Sequence, residues 1–201
     1  SSMNLVASSV YAENGGANDI PMETVSYTPT SSGTYYISVS HPSGGTPGWL
    51  QVQVFTGGRN LQYFGAARTV GNPAESANAG MLAVGAAGWS TTSTIESFSS
   101  QGPTTDGRIK PDIVGADGGD SGSKGAWYGT SQASPHVAGL AALVLERYPA
   151  YTPDQVATYL KNNAAPRGSP VPNNTWGYGF AQLPSLPPGA PTGVAAVKGA
   201  G

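Results

Sequence analysis

The chain contains no cysteine, which removes disulfides, thiolate nucleophiles and zinc–thiolate sites together. Charge is scarce as well. Nine Lys and Arg with eleven Asp and Glu make up 10% of 201 residues, where an ordinary globular domain carries about 25%. A net charge of −2 leaves no basic stripe to hold phosphates and argues against a nucleic-acid partner. No apolar run approaches the roughly 20 residues that cross a bilayer, so no membrane span is expected. Ser1-Ser2-Met3-Asn4-Leu5 has neither a basic n-region nor an apolar h-region, and so is not a signal peptide. Charge-driven disorder is excluded too, because 38% of residues are hydrophobic. What is abundant is Gly (29) and Pro (17), with Ser, Thr, Asn and Gln. A loop-rich protein with a neutral polar surface is expected, of a kind common outside the cell.

The first third reads as β. Thr24–Tyr27, Tyr35–Ser40 and Trp49–Phe55 are short β-branched and aromatic runs. The last alternates, with Leu50, Val52 and Val54 on one face and Gln51 and Gln53 on the other. His41 to Gly48 is turn chemistry, and His41 itself reads as a surface turn residue. Residues 1–66 are therefore a candidate piece of an antiparallel sandwich.

After residue 66 the pattern changes. Met81–Ala86 is a continuous apolar run, as in a strand buried on both faces. Ile109–Val114 reads as an edge strand or a loop because of Pro111. Ser134–Tyr148 carries Val137, Leu140, Ala141, Val144, Leu145 and Tyr148 at helical spacing. Thr152-Pro153-Asp154-Gln155 starts a second helix with a Thr cap, a first-turn Pro and Gln three residues on. Val156, Tyr159 and Leu160 form its buried face. Strands followed by helices point to the end of an α/β layer. Residues 186–201 have linker composition, and both termini read as cut from something longer.

Chemistry is concentrated in Gly129-Thr130-Ser131-Gln132-Ala133-Ser134-Pro135-His136-Val137-Ala138-Gly139. Ser131 stands in a small-residue turn at a helix start, where backbone N–H groups and the helix field favour an oxyanion. By itself the segment reads first as an ordinary Ser cap, the commonest use of Ser before a helix. The whole run, however, resembles the nucleophile motif of the subtilisin-like serine peptidases, Gly-Thr-Ser-x-Ala-Ser-Pro-His-Val-Ala-Gly. Phe98–Val114 is similar to the segment that precedes that motif in subtilases. Thr69-Val70-Gly71-Asn72-Pro73, leading to Val84-Gly85-Ala86, is similar to the stretch bordering the P1 pocket. The resemblance covers roughly residues 67–185 and implies the C-terminal half of a parallel-sheet α/β domain.

Carried over residue by residue, the resemblance makes Ser131 the nucleophile and its own N–H one oxyanion donor. Gly71 matches the residue whose missing side chain keeps the P1 pocket open. Asn72 departs from the residues usual beside it, so a P1 preference is not inherited. His136 matches a structural histidine behind the nucleophile. The family's Asp-Thr/Ser-Gly, His-Gly-Thr and oxyanion Ala-Gly-Asn motifs do not occur here. Asn14 has the wrong setting, and Asp106, Asp112, Asp117 and Asp120 match no triad member. The expected function is thus the Ser-bearing part of a secreted peptidase. It would act on polypeptides once an N-terminal part supplies Asp and His, and would be inactive alone. Residues 1–66 resemble the latter part of a β-sandwich inserted in some subtilases, and residues 188–194 the start of a fibronectin type III module.

The alternative, of a different class, is a processed fragment that self-associates without catalysis, which low charge permits. No cofactor is expected. Asp112, Asp117 and Asp120 could hold a structural calcium ion, against the plainer reading of a glycine-rich turn. Asn173-Asn174-Thr175 is a glycosylation sequon, and Trp176–Phe180 resembles the segment that closes subtilase domains by close backbone packing.

Overall fold

The apolar run at Met81 leads into the first strand of a parallel pair. In a computed structural model, which describes residues 4–10, 22–41, 43–46, 48, 50–54, 61–63, 65 and 67–184, β1 (Val84–Gly88) pairs with β2 (Ile113–Asp117). The register runs from Val84↔Ile113 to Gly88↔Asp117. Pairing begins just before β1, where the Asp112 and Ile113 N–H groups donate to Ala83 O at 2.8 and 3.3 Å.

Pro111 does not make this segment an edge. It stands two residues ahead of β2, so its missing N–H costs the strand ladder nothing. On its far side β2 is covered by the 176–181 segment: the Val114 N–H donates to Gly179 O and the Ala181 N–H to Val114 O, at 2.9 and 2.7 Å. Trp176 is buried there, and Phe180 exchanges two 2.8 Å bonds with Ala165, the close backbone packing expected of this segment. A short exposed hairpin, β3 (Asp120–Ser121) with β4 (Gly125–Ala126), leaves the end of β2 and returns the chain to the helices.

Helix α1 (Thr130–Arg147) packs on both parallel strands and on α2 (Pro153–Asn163). It begins four residues earlier than its periodicity indicated. Pro135 falls in the second turn and removes one intrahelical bond, yet the first turn forms because the Gln132 and Ala133 N–H groups both reach Gly129 O. The approach to the sheet is close: a Cβ at Gly115 would stand 2.5 Å from Ala133 O and 3.0 Å from Val137 Cγ2. The start of α2 is as expected. Thr152 Oγ1 accepts the Gln155 N–H, and Gln155 Oε1 accepts the Thr152 N–H. Ile113, Val137, Val144, Val156, Leu160, Ala164 and Ala181 form the core between these layers, with Tyr148, Tyr151 and Tyr159 clustered at its margin. The class is α/β.

The chain divides into two compact units, Ser1–Val52 and Gln53–Gly201. Among the described residues of 1–66 there is no strand. Tyr36, Ile37, Val39, Leu50 and Val52 are exposed, so the apolar faces that predicted a sandwich meet no partner there. In the first unit Tyr27 and Tyr35 stack obliquely, the Tyr35 hydroxyl donates to Ser31 O, and Ser9 donates to Glu23. Trp49, Phe55, Asn14 and the linker at 186–201 lie outside the described residues.

Candidate active site

A parallel strand that ends beside a helix start is where open α/β sheets gather their chemistry. Here β2 ends at Asp117 and α1 starts at Thr130. Gly129 is the N-cap, with φ 142° and ψ 154°, a conformation that side chains disfavour, and no side chain caps the helix locally. Ser131 is therefore not a cap. It lies in the first turn, exposed, and among the described residues no hydrogen bond reaches its Oγ. The N–H groups of Thr130 and Ser131 likewise have no acceptor among the described residues. Two unspent donors and the positive end of an 18-residue helix thus surround a free hydroxyl.

The turn is tied to the strand at several points. Asp117 is fully buried; its Oδ1 accepts the Gly129 N–H at 2.9 Å, while its Oδ2 has no partner among the described residues. Gln132, also buried, accepts from Gly119 N–H at 3.0 Å and donates to Gly119 O at 2.6 Å. His136 donates from Nδ1 to Ala116 O at 2.8 Å. Five residues past Ser131, about 140° round the helix, it serves the strand and not the hydroxyl.

Gly71 lies close by in the fold. Gly71, Val70, Ala83, Val84 and Pro111 line a cavity of about 130 Å³ together with Thr130, the residue before Ser131. The cavity thus joins Gly71 to the start of the Ser131 turn, through Thr130 and not through Ser131 itself. The Gln53 side chain rests against Gly71, where an added Cβ would collide with its amide.

The other carboxylates are engaged elsewhere. Asp106 is bonded by Arg108 and Thr104, which hold its carboxyl at about 2. Burial pushes the Asp112 carboxyl up, but bonds from Lys110 (2.6 Å), Ala83 N–H (2.8 Å) and Lys161 (3.0 Å) outweigh it and leave it below its ordinary value. Asp120 is exposed in β3. Asp112, Asp117 and Asp120 are not gathered, and no group of three His, Cys, Asp or Glu among the described residues could hold a metal ion. His41 is an exposed residue of the first unit. Sequence reasoning missed the roles of Asp117 and Gln132, since no spacing rule announces a carboxylate that reaches an amide twelve residues on.

Residues 26–179 match the family model described as the subtilase family, peptidase S8. The chain belongs to the subtilase family. Serine protease AprX of Bacillus subtilis (strain 168) is 37% identical over 116 residues, covering 48% of this chain and 26% of that protein. Subtilisin of Bacillus pumilus is 39% identical over 105 residues, 52% of this chain and 36% of that protein. The crystal structure of MycP1 from Mycobacterium smegmatis aligns over 58% of this chain and 34% of that one, at 26% identity and a TM-score of 0.38. The subtilase chain thus spans about a quarter of the first of these curated relatives and a little over a third of the second.

Proposed function

We propose that this chain is the nucleophile-bearing part of a secreted subtilisin-like serine endopeptidase. Ser131 Oγ attacks the scissile carbonyl of a polypeptide, its own N–H receives the oxyanion, and the Gly71 cavity admits the P1 side chain. The proton leaves to a histidine that, with its aspartate, comes from an N-terminal part of the protein. Acyl transfer of this kind splits one difficult hydrolysis into two easier steps and asks the protein only for a base and oxyanion donors. The observation that carries the reading is the unbonded Ser131 hydroxyl beside unspent N–H groups, next to the cavity lined by Gly71. Exposed Leu143 and Leu145 on α1 also fit a helix that a further layer covers. Residues 1–66 are read as part of an inserted β-sandwich and 67–185 as the C-terminal part of the catalytic domain. The neutral polar composition suits an extracellular enzyme. The alternative of a self-assembling, non-catalytic fragment draws no support from the subtilase match.

A fluorophosphonate probe is expected to label Ser131 in the intact protein and to leave Ser131→Ala unlabelled, as read by mass spectrometry of the tryptic peptide. The chain without the Asp and His is expected to label orders of magnitude more slowly. Intact, folded protein that takes up no label would overturn the reading.

A further inference from the structure

Among the described carboxylates, Asp117 is the most deeply buried. It is fully buried at the C-terminal end of β2, and among the described residues only one of its two carboxylate oxygens is spent. Its backbone is fixed on both sides, because it closes the strand register against Gly88 and its carbonyl accepts the Trp89 N–H at 2.8 Å. The spent oxygen holds the Gly129 N–H, so a carboxylate anchored on the sheet reaches the residue that begins the nucleophile turn. Between them runs the exposed β3–β4 hairpin, which contributes no bond of its own to that turn among the described residues.

Gly129 has two polar backbone groups. Its carbonyl is taken by the Gln132 and Ala133 N–H groups of the helix itself, and its N–H by Asp117 alone. The bond from Asp117 is therefore the one made by Gly129's backbone to anything outside its own turn and helix. Gly129 sits at φ 142°, where glycine has wide freedom, and without the Asp117 bond the ties left to the turn, Gln132 on Gly119 and His136 on Ala116, lie beyond Ser131 and leave its approach free to shift. The unspent Oδ2 belongs to a group placed at the N-terminal end of α1, where the helix field favours an oxygen acceptor.

We infer that Asp117 is a positioning residue for Ser131: through the Gly129 N–H it sets where the Ser131 hydroxyl and N–H stand relative to a bound carbonyl. The inference rests on Ser131 being the nucleophile. Because reacting groups held on a rigid element gain rate from orientation and not from binding, the loss falls on kcat and not on KM.

The test uses the intact protein with Asp117→Ala and Asp117→Asn, with kcat normalised to the sites titrated by a fluorophosphonate so that unfolded protein is not counted. Asp117→Ala is expected to lower kcat on a peptide ester by about tenfold or more, with KM changed by less than about threefold. Asp117→Asn keeps an acceptor oxygen for Gly129 and is expected to recover to within about threefold of the unsubstituted protein. In parallel, amide exchange at Gly129 is expected to quicken by about tenfold in the Ala variant and much less in the Asn variant. An Ala variant within about twofold in kcat per site, or an Asn variant no better than Ala, overturns the inference. If the unsubstituted protein is not labelled at Ser131, the nucleophile reading falls while exchange still judges Asp117: unchanged Gly129 exchange in Asp117→Ala refutes its hold on the turn.

Discussion

Asn173 shows how far a single side chain can be committed. Its Nδ2 donates to Arg167 O and Pro170 O at 2.9 and 2.8 Å, and its Oδ1 accepts the Thr175 and Trp176 N–H groups at 3.1 and 2.9 Å. All four of its hydrogen-bonding positions are used. A glycan on Nδ2 would displace one of those donors, so the sequon is expected to stay unmodified in folded protein from a glycosylating host, which an intact-mass measurement checks. Asn173→Ala, which strands four backbone partners, is expected to lower the unfolding free energy by about 2–3 kcal/mol in urea titration. His136 follows the same logic. A histidine five residues from a candidate nucleophile invites pairing, but its Nδ1 is spent on Ala116 O.

At the scale of elements, the placement of α1 on the sheet decides where Ser131 stands. The helix and β2 come close because Gly115 has no side chain; a Cβ there would meet Ala133 O at 2.5 Å, and a backbone oxygen cannot step aside. Gly115→Ala is therefore expected to push the first turns of α1 off the sheet and to cost about 1–3 kcal/mol, seen as a lowered thermal midpoint. The α2 start needs no such help from outside, since the Thr152–Gln155 capping box is closed within four residues. That difference explains what the periodicity could place. The α2 boundary is set by neighbours in sequence, whereas α1 starts at Thr130 because Gly129 is held from β2 and the helix packs against Gly115.

At the scale of the molecule, one buried ion cluster joins parts that lie far apart in sequence. Asp112 before β2 takes Lys110 Nζ at 2.6 Å, Lys161 Nζ of α2 at 3.0 Å and the Ala83 N–H at 2.8 Å. Its folded pKa lies below the ordinary 3.8, so its stabilising contribution is complete above that value and is lost as pH falls through the lowered one. Urea midpoints are expected to drop on acidification below about pH 4, with a shallower drop in Asp112→Asn. At neutral pH that variant, which leaves two lysines without their counter-charge, is expected to be less stable by about 3 kcal/mol. The sequence by itself determined the family, the candidate nucleophile Ser131, the candidate pocket glycine Gly71 and the capping box, because each rests on residues within a short stretch. In the first third it showed alternating faces but could not supply partners, and a strand exists only by pairing. Only the tertiary structure decided what each scarce charge does: Asp112 neutralised between two lysines, Asp106 paired at the surface, Asp120 exposed, Asp117 buried against Gly129. Those assignments depend on which distant segments the chain path brings within about 3 Å, and a hydrogen bond is made or lost at that distance and no other.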